Sequence, residues 1–220
     1  MDIKIFKDEE EFVAASVTRI LHACEAPQGD RPRVALSGGS TPEPVYRALA
    51  EQSEFLEIAE FYQIDERYVP ADDAKSNQKL IRDTLNSPHF VPFDTTGSID
   101  DALNHYEKKL YELGEHPFDS AVLGVGNDGH IASLFPGSGA LNETDRWVAH
   151  TTTDVHDIRD RLTLTLPPIL LTKSLLILLK GSKKRVVLET LLAGSGDINE
   201  FPALALLKHP NLTLYYYEND

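Results

Sequence analysis

Asp128 and His130 stand two positions apart in a stretch broken by Gly124, Gly126 and Gly129. Imidazole has a reference pKa of about 6.5, so His130 is a candidate general base or acid near neutral pH. Asp128 is spaced to orient that ring or to hold a substrate hydroxyl. The stretch follows Ala121–Leu123, an apolar run that suits a buried strand, although the pattern alone also allows a helix. Open α/β sheets hold ligands where strands end in glycine-rich turns of this kind.

Three more strand ends carry complementary chemistry. Val34–Leu36 runs into Ser37-Gly38-Gly39-Ser40-Thr41-Pro42. Glycines let backbone N–H groups approach an anion, a following helix start aims more of them at it, and Ser37, Ser40 and Thr41 add hydroxyls. Thr41 reads as the N-cap and Pro42 as the first helical residue. The loop matches neither a Walker motif nor GxGxxG, so no nucleotide is implied, and it also fits an ordinary tight turn. Phe61–Ile64 ends in Asp65-Glu66-Arg67. Such charges are commonly just solvated, yet Asp65 is a second group to orient His130 or hold hydroxyls, and Arg67 suits a phosphate. Leu175–Leu179 ends in the densest basic cluster of the chain, which supplies Lys184, and Arg161 is a further cation. The other histidines are expected to be structural or solvated.

Composition removes whole classes of function. The formal charge of −14 argues against DNA or RNA, whose phosphate backbones are bound by basic surfaces. A phosphorylated small molecule would need a local cluster such as Arg67 and Lys184. The single cysteine, Cys24, cannot form an intrachain disulfide. The most apolar stretch, Ile169–Leu179, is interrupted by Thr172-Lys173-Ser174 and is too short for a bilayer. The opening MDIKIFKDEEEF lacks the basic-then-apolar layout of a signal peptide, so a cytoplasmic protein with no membrane partner is expected. No Cys pair or HExxH exists, and Asp128-x-His130 lacks a third ligand nearby, so no metal is expected. Without a GxSxG elbow, Ser133 is set aside as a nucleophile.

The elements that must position these groups follow from periodicity. Ile3–Phe6 reads as an edge strand, and helical spacing runs from Glu10 to Cys24. Further helices are predicted after Thr41, from Ser76-Asn77, from Ser98 to about Leu113, and over Val186–Ala193. Trp147–His150, Arg161–Leu166 and Leu212–Tyr217 read as strands, with short helices near Pro167 and over Ala203–Leu207. Strands alternating with helices, and central strands that are continuous apolar runs, predict a largely parallel sheet with helices on both faces. No linker or repeat interrupts the pattern, so one domain over residues 1–220 is expected.

LSGGSTP at Leu36–Pro42, DERYVP at Asp65–Pro70, Ser76-Asn77, LGVGNDGHIASLFPG at Leu123–Gly137, RLTLTLP at Arg161–Pro167 and GSKK at Gly181–Lys184 together resemble the 6-phosphogluconolactonase family. The resemblance covers most of the chain, and DGHIASLFPG is its most specific part. It implies a Rossmann-like α/β fold that binds a sugar phosphate without metal or other cofactor. It further implies hydrolysis of 6-phospho-D-glucono-1,5-lactone to 6-phosphogluconate, a step of the oxidative pentose phosphate pathway. His130 would deprotonate the attacking water, and the turn's N–H groups, at Gly126 and Gly129, would hold the oxyanion. The phosphate would lie on Ser37, Gly38, Gly39, Ser40 and Thr41 with Arg67 and Lys184.

Two rivals are weaker on the residues. Glucosamine-6-phosphate deaminases share the resemblance but carry a glutamate five residues after the histidine, where this chain has Phe135, and tend to have DEY where it has Asp65-Glu66-Arg67. A non-catalytic sugar-phosphate sensor would have no need of His130. The chain departs from the commoner lactonase pattern at Asn127, where glutamate is frequent, and before Arg161, where a usual proline is missing.

Overall fold

The structure, a computed structural model, describes residues 1–219. In chain order the elements are β1 (Asp2–Phe6), α1 (Glu9–Cys24), β2 (Arg33–Leu36), α2 (Glu43–Leu49), α3 (Ser53–Ile58), β3 (Glu60–Gln63), β4 (Asp65–Arg67), α4 (Asn77–Leu85), β5 (Phe90–Val91), α5 (Ile99–Tyr111), β6 (Ser120–Gly124), β7 (Val148–Thr152), β8 (Asp160–Leu164), α6 (Leu166–Leu170), β9 (Ser174–Lys180), α7 (Arg185–Ala193) and β10 (Leu212–Tyr217). Seven strands pair in parallel in the order β1-β10-β9-β6-β2-β3-β5.

Side chains alternate across a strand, so a strand buried on both faces must be apolar at every position. In β9, Leu175, Ile177 and Leu179 enter the core on one side of the sheet, and Leu176 and Leu178 the core on the other. In β6, Ala121 and Leu123 divide from Val122 in the same way. Each such burial is worth about 1.5–3 kcal/mol relative to exposure. Ile20 of α1, Tyr46 of α2 and Ile81 of α4 cover one face; Tyr106 of α5 and Val187 of α7 cover the other. The helices start where polar residues satisfy free N–H groups: Asp8 accepts from Glu11, Ser76 from Lys79 and Ser98 from Asp101.

Parallel pairing brings the carboxyl ends of β2, β3, β6 and β9 to one edge, as the pattern of elements predicts. Three features differ from the sequence expectation. Asp65-Glu66-Arg67 is not a solvated strand end but a strand of its own. It heads a separate antiparallel sheet, β4-β8-β7, in which Arg67 stands opposite Arg161. Thr41 does not cap α2: Pro42 occupies the cap position with no side-chain cap bond, and the helix begins at Glu43. That leaves Ser40 and Thr41 in the loop, free of the helix. The short α3 and β5 carry too few residues to show a period.

Candidate active site

A cavity of about 310 Å³ opens at the shared carboxyl edge, between the parallel sheet and the small antiparallel one. Its walls include Ser37, Gly38, Gly39, Ser40, Thr41, Asp65, Arg67, Gly126, His130, Arg161 and Lys184, so most of the sequence-derived candidates meet there. Asp128 and Gly129 do not line it.

On one wall the turn after β6 fixes His130. Asp128 Oδ1 lies 2.6 Å from His130 Nδ1 and accepts from the His130 backbone N–H at 3.2 Å. A carboxylate accepts only, so Nδ1 carries the proton and Nε2 is left as the basic nitrogen. This hydrogen bond holds the Asp128 carboxyl down at about 2, partly opposed by desolvation. Asp128 therefore stands behind the imidazole as its support. Gly126 is required by that packing, because a Cβ there would fall 2.1 Å from His130 Nδ1. Ala132, also on the cavity wall, is held at φ 51°, a conformation costly for any residue with a Cβ.

The N–H groups of Gly126 and Gly129 in this turn are already committed. Gly126 N–H donates to the His130 carbonyl at 2.8 Å and Gly129 N–H to the Gly126 carbonyl at 3.1 Å. The expectation that these two amides hold an oxyanion is thus corrected: both are spent on closing the turn that presents His130. By contrast, the N–H groups of Gly38, Gly39, Ser40 and Thr41 have no acceptor among the described residues. Gly38 is needed for close approach, since a Cβ there would meet Asn77 Oδ1 at 2.0 Å.

The opposite wall is cationic. The β4–β8 register sets Arg67 and Arg161 side by side, although like charges in opposed positions destabilise a sheet. Arg161 is almost fully buried, and burial and the Arg67 charge both disfavour its charged form. Lys184 stands on the side of the β6 turn instead, donating to the Val125 carbonyl at 2.5 Å, and burial lowers its pKa, opposed by the Asp128 charge. No carboxylate stands within 4 Å of these three cations among the described residues. Ser37 Oγ, Arg67 Nε and Asn77 Oδ1 are buried with no partner among the described residues. Buried polar groups are ordinarily satisfied, so such a cluster marks where a ligand's polar atoms belong. Asp65 also faces the cavity, with its Oδ2 accepting from Ser133 Oγ at 2.8 Å. It makes no hydrogen bond to His130, which leaves it available for a substrate hydroxyl.

Sequence reasoning missed two contributors. Glu66 is fully buried and accepts five hydrogen bonds: from the N–H groups of Arg67, Asn77 and Gln78 at 2.7 Å each, from Gln63 Nε2 at 2.8 Å and from Ser76 Oγ at 2.9 Å. Burial pushes its carboxyl above the ordinary range, and the donors pull against that. It ties β4 to the start of α4 and so aims Arg67; ten residues separate it from Ser76, so no local motif announces it. The second is His156, expected to be structural or solvated like the other histidines. It sits at the cavity mouth with ring centroids 5.5 Å from His130 and 5.7 Å from Phe135. Desolvation, then the neighbouring His130 and Arg161, lowers its pKa. Nothing in DVHDIRD distinguishes it before folding.

Phe135 is 5.1 Å from the His130 ring, with the Arg161 guanidinium 6.0 Å from its own centroid. An apolar ring therefore occupies the space beside the imidazole. Among the described residues, no group of three or more His, Cys, Asp or Glu side chains is arranged to hold a metal ion, and no helix is long and apolar enough to cross a membrane.

Known proteins resemble this chain in sequence and in fold. Residues 7–215 match the family of glucosamine-6-phosphate isomerases/6-phosphogluconolactonase. A 6-phosphogluconolactonase of Synechocystis sp. is 37% identical over 209 residues, covering 88% of this chain and 84% of that protein. The crystal structure of 6-phosphogluconolactonase from Thermotoga maritima superposes with a TM-score of 0.86 at 30% identity, covering 99% of each chain. A monomeric glucosamine-6-phosphate deaminase reaches a TM-score of 0.84 at 21% identity over 99% of this chain and 97% of its own, a likeness of fold alone.

Proposed function

Because the chain belongs to the family of glucosamine-6-phosphate isomerases/6-phosphogluconolactonase, we propose that it hydrolyses 6-phospho-D-glucono-1,5-lactone, with His130 activating the water. The observation that carries this reading is the cavity itself. A histidine whose Nε2 is free and whose Nδ1 is held by Asp128 shares the cavity with Arg67, Arg161 and Lys184, none of which is paired with a carboxylate among the described residues. The phosphate belongs on Arg67, Arg161 and Lys184 with the free amides and hydroxyls of residues 37–41.

The chemistry follows from that placement. His130 Nε2 takes a proton from water as its oxygen bonds to the lactone carbonyl carbon, giving a tetrahedral oxyanion. Collapse breaks the bond from that carbon to the ring oxygen, which leaves with the proton now on His130. The product is the open-chain acid, and the imidazole is returned neutral. Asp128 keeps the ring in the tautomer this cycle needs. Asp65 is placed to receive a sugar hydroxyl. Gly126 and Gly129 supply the shape of the turn.

Amino-sugar deamination is disfavoured by Phe135. Ring opening of the amino sugar calls for a proton-transfer group, and the position beside His130 that a glutamate fills in the deaminases holds a phenyl ring here. The test is an assay of purified protein with fresh phosphorylated lactone and, separately, glucosamine 6-phosphate, each with and without a chelator. Turnover of the first alone, unchanged by chelator, is expected. Turnover of the amino sugar would overturn the substrate, and chelator sensitivity the metal-free mechanism.

A further inference from the structure

We propose that His156 is a ligand of the substrate's phosphate, taking up a proton as the anion settles between Arg67 and Arg161 and donating a charge-assisted hydrogen bond to it. This rests on the lactonase reading of the cavity but not on His130 being the base.

His156 lies in the hairpin between β7 and β8, and that hairpin is tied to the cationic wall at two points. Arg161 Nε donates to the Ile158 carbonyl at 2.9 Å, and Lys75 Nζ reaches Asp157 Oδ2 at 2.6 Å from the opposing loop. Across the mouth, a second cavity of about 290 Å³ continues the first, and both are lined by Arg67, Arg161 and His156 together. An anion held by the two arginines therefore has this imidazole as a neighbour. The ring makes no hydrogen bond within the protein among the described residues, so its nitrogens are available.

The surrounding charges decide its protonation. Arg161 and Arg67 face it from the small sheet, Lys75 with its partner Asp157 from the loops, and His130 with its partner Asp128 from the turn after β6. With the cavity free of anion, partial desolvation, then His130 and the two guanidiniums, favour the neutral ring, which accords with its lowered pKa. A phosphate dianion between those guanidiniums reverses the local field. The same site then favours imidazolium, and a charged donor to a phosphate oxygen is the stronger kind of hydrogen bond. Binding of the anion and of the proton thereby help each other.

The experiment uses 6-phosphogluconate, the unreactive product, with wild-type protein and His156→Gln, which keeps an N–H donor but cannot take a proton. Calorimetry near neutral pH in two buffers of different ionisation enthalpy should show the wild type taking up more protons on binding than H156Q. Affinity should fall about ten-fold in H156Q at about pH 6.5, with the gap closing toward about pH 9. The His156 ring proton resonance, assigned by its loss in H156Q, should titrate at higher pH with 6-phosphogluconate present. Equal proton uptake by the two proteins, or a gap in affinity that does not vary with pH, would overturn the inference while leaving the lactonase reading intact. Failure of the wild type to hydrolyse the phosphorylated lactone would sink that reading and this inference with it.

Discussion

The two walls of the cavity are built on opposite terms. The turn after β6 binds itself: the amides of Gly126 and Gly129 close on its own carbonyls, and Asp128 holds His130 by side chain and backbone. The wall made by β4, β8 and the loop of residues 37–41 is incomplete. Among the described residues it sets Arg67 against Arg161 with no carboxylate within 4 Å of either, leaves the amides of Gly38, Gly39, Ser40 and Thr41 without acceptors, and buries Ser37 Oγ, Arg67 Nε and Asn77 Oδ1 unpaired. The difference separates reaction from recognition. A base must be preorganised before substrate arrives, whereas binding groups gain most when their partners come from the ligand.

The sharpest way to break that division is at His130. His130→Ala should lower kcat by about 10²–10⁴-fold, the range for a positioned base, with little change in KM. A variant with near wild-type turnover would remove the base assignment and with it the meaning of the completed wall. Next in size is Glu66, fully buried and bonded at both carboxylate oxygens beneath the incomplete wall. Glu66→Ala strips the acceptor from three backbone N–H groups and should cost about 3 kcal/mol or more in urea unfolding. Loss of less than about 1 kcal/mol would mean that water replaces the carboxylate and that the wall is looser than its hydrogen bonds imply.

Arg67→Ala tests the incomplete wall directly. KM for the phosphorylated lactone should rise by about ten-fold or more, and the preference over unphosphorylated gluconolactone should narrow to match. Stability should move by less than about 1 kcal/mol, because removing Arg67 also relieves its crowding with Arg161. An unchanged substrate preference would take Arg67 out of the phosphate site. Kinetics and unfolding thus respond to different residues on the two sides of one cavity.

How far the sequence reveals these walls depends on how local their causes are. The parallel sheet is legible because its strands are continuous apolar runs, such as Leu175–Leu179, that have no other means of burial. His130 is legible because glycines at Gly126 and Gly129 and an acid at Asp128 surround it within five residues. Asp65 and Arg67 are legible as candidates but not as a strand, since β4 has three residues and exists only because β8 pairs with it. Glu66 looks solvated because its donors come from Gln63 and from the start of α4, ten or more residues on. His156 is hidden for the same reason: its neighbours Arg67 and His130 are far away in the chain. The family resemblance implies an oxyanion hole at Gly126 and Gly129, and only the paths of their N–H groups show them spent.

The smallest effect bears on whether the completed wall is complete before any ligand binds. The hydrogen bond from His130 depresses the Asp128 carboxyl to about 2, below the ordinary value of about 3.9 for an unfolded chain. A carboxyl depressed by folding stabilises the fold above its unfolded pKa, and that contribution is lost as pH falls through the folded one. Wild type should therefore exceed Asp128→Asn in stability at about pH 5 and above, and the margin should close between about pH 4 and about pH 2. Its size should stay below about 1 kcal/mol, because the Asp128 side chain is 41% exposed and solvent screens the pair. Urea midpoints of both proteins across the acid range measure it. A margin that persists at the acid end would show that Asp128 acts through packing, and that His130 waits for substrate to be held in place.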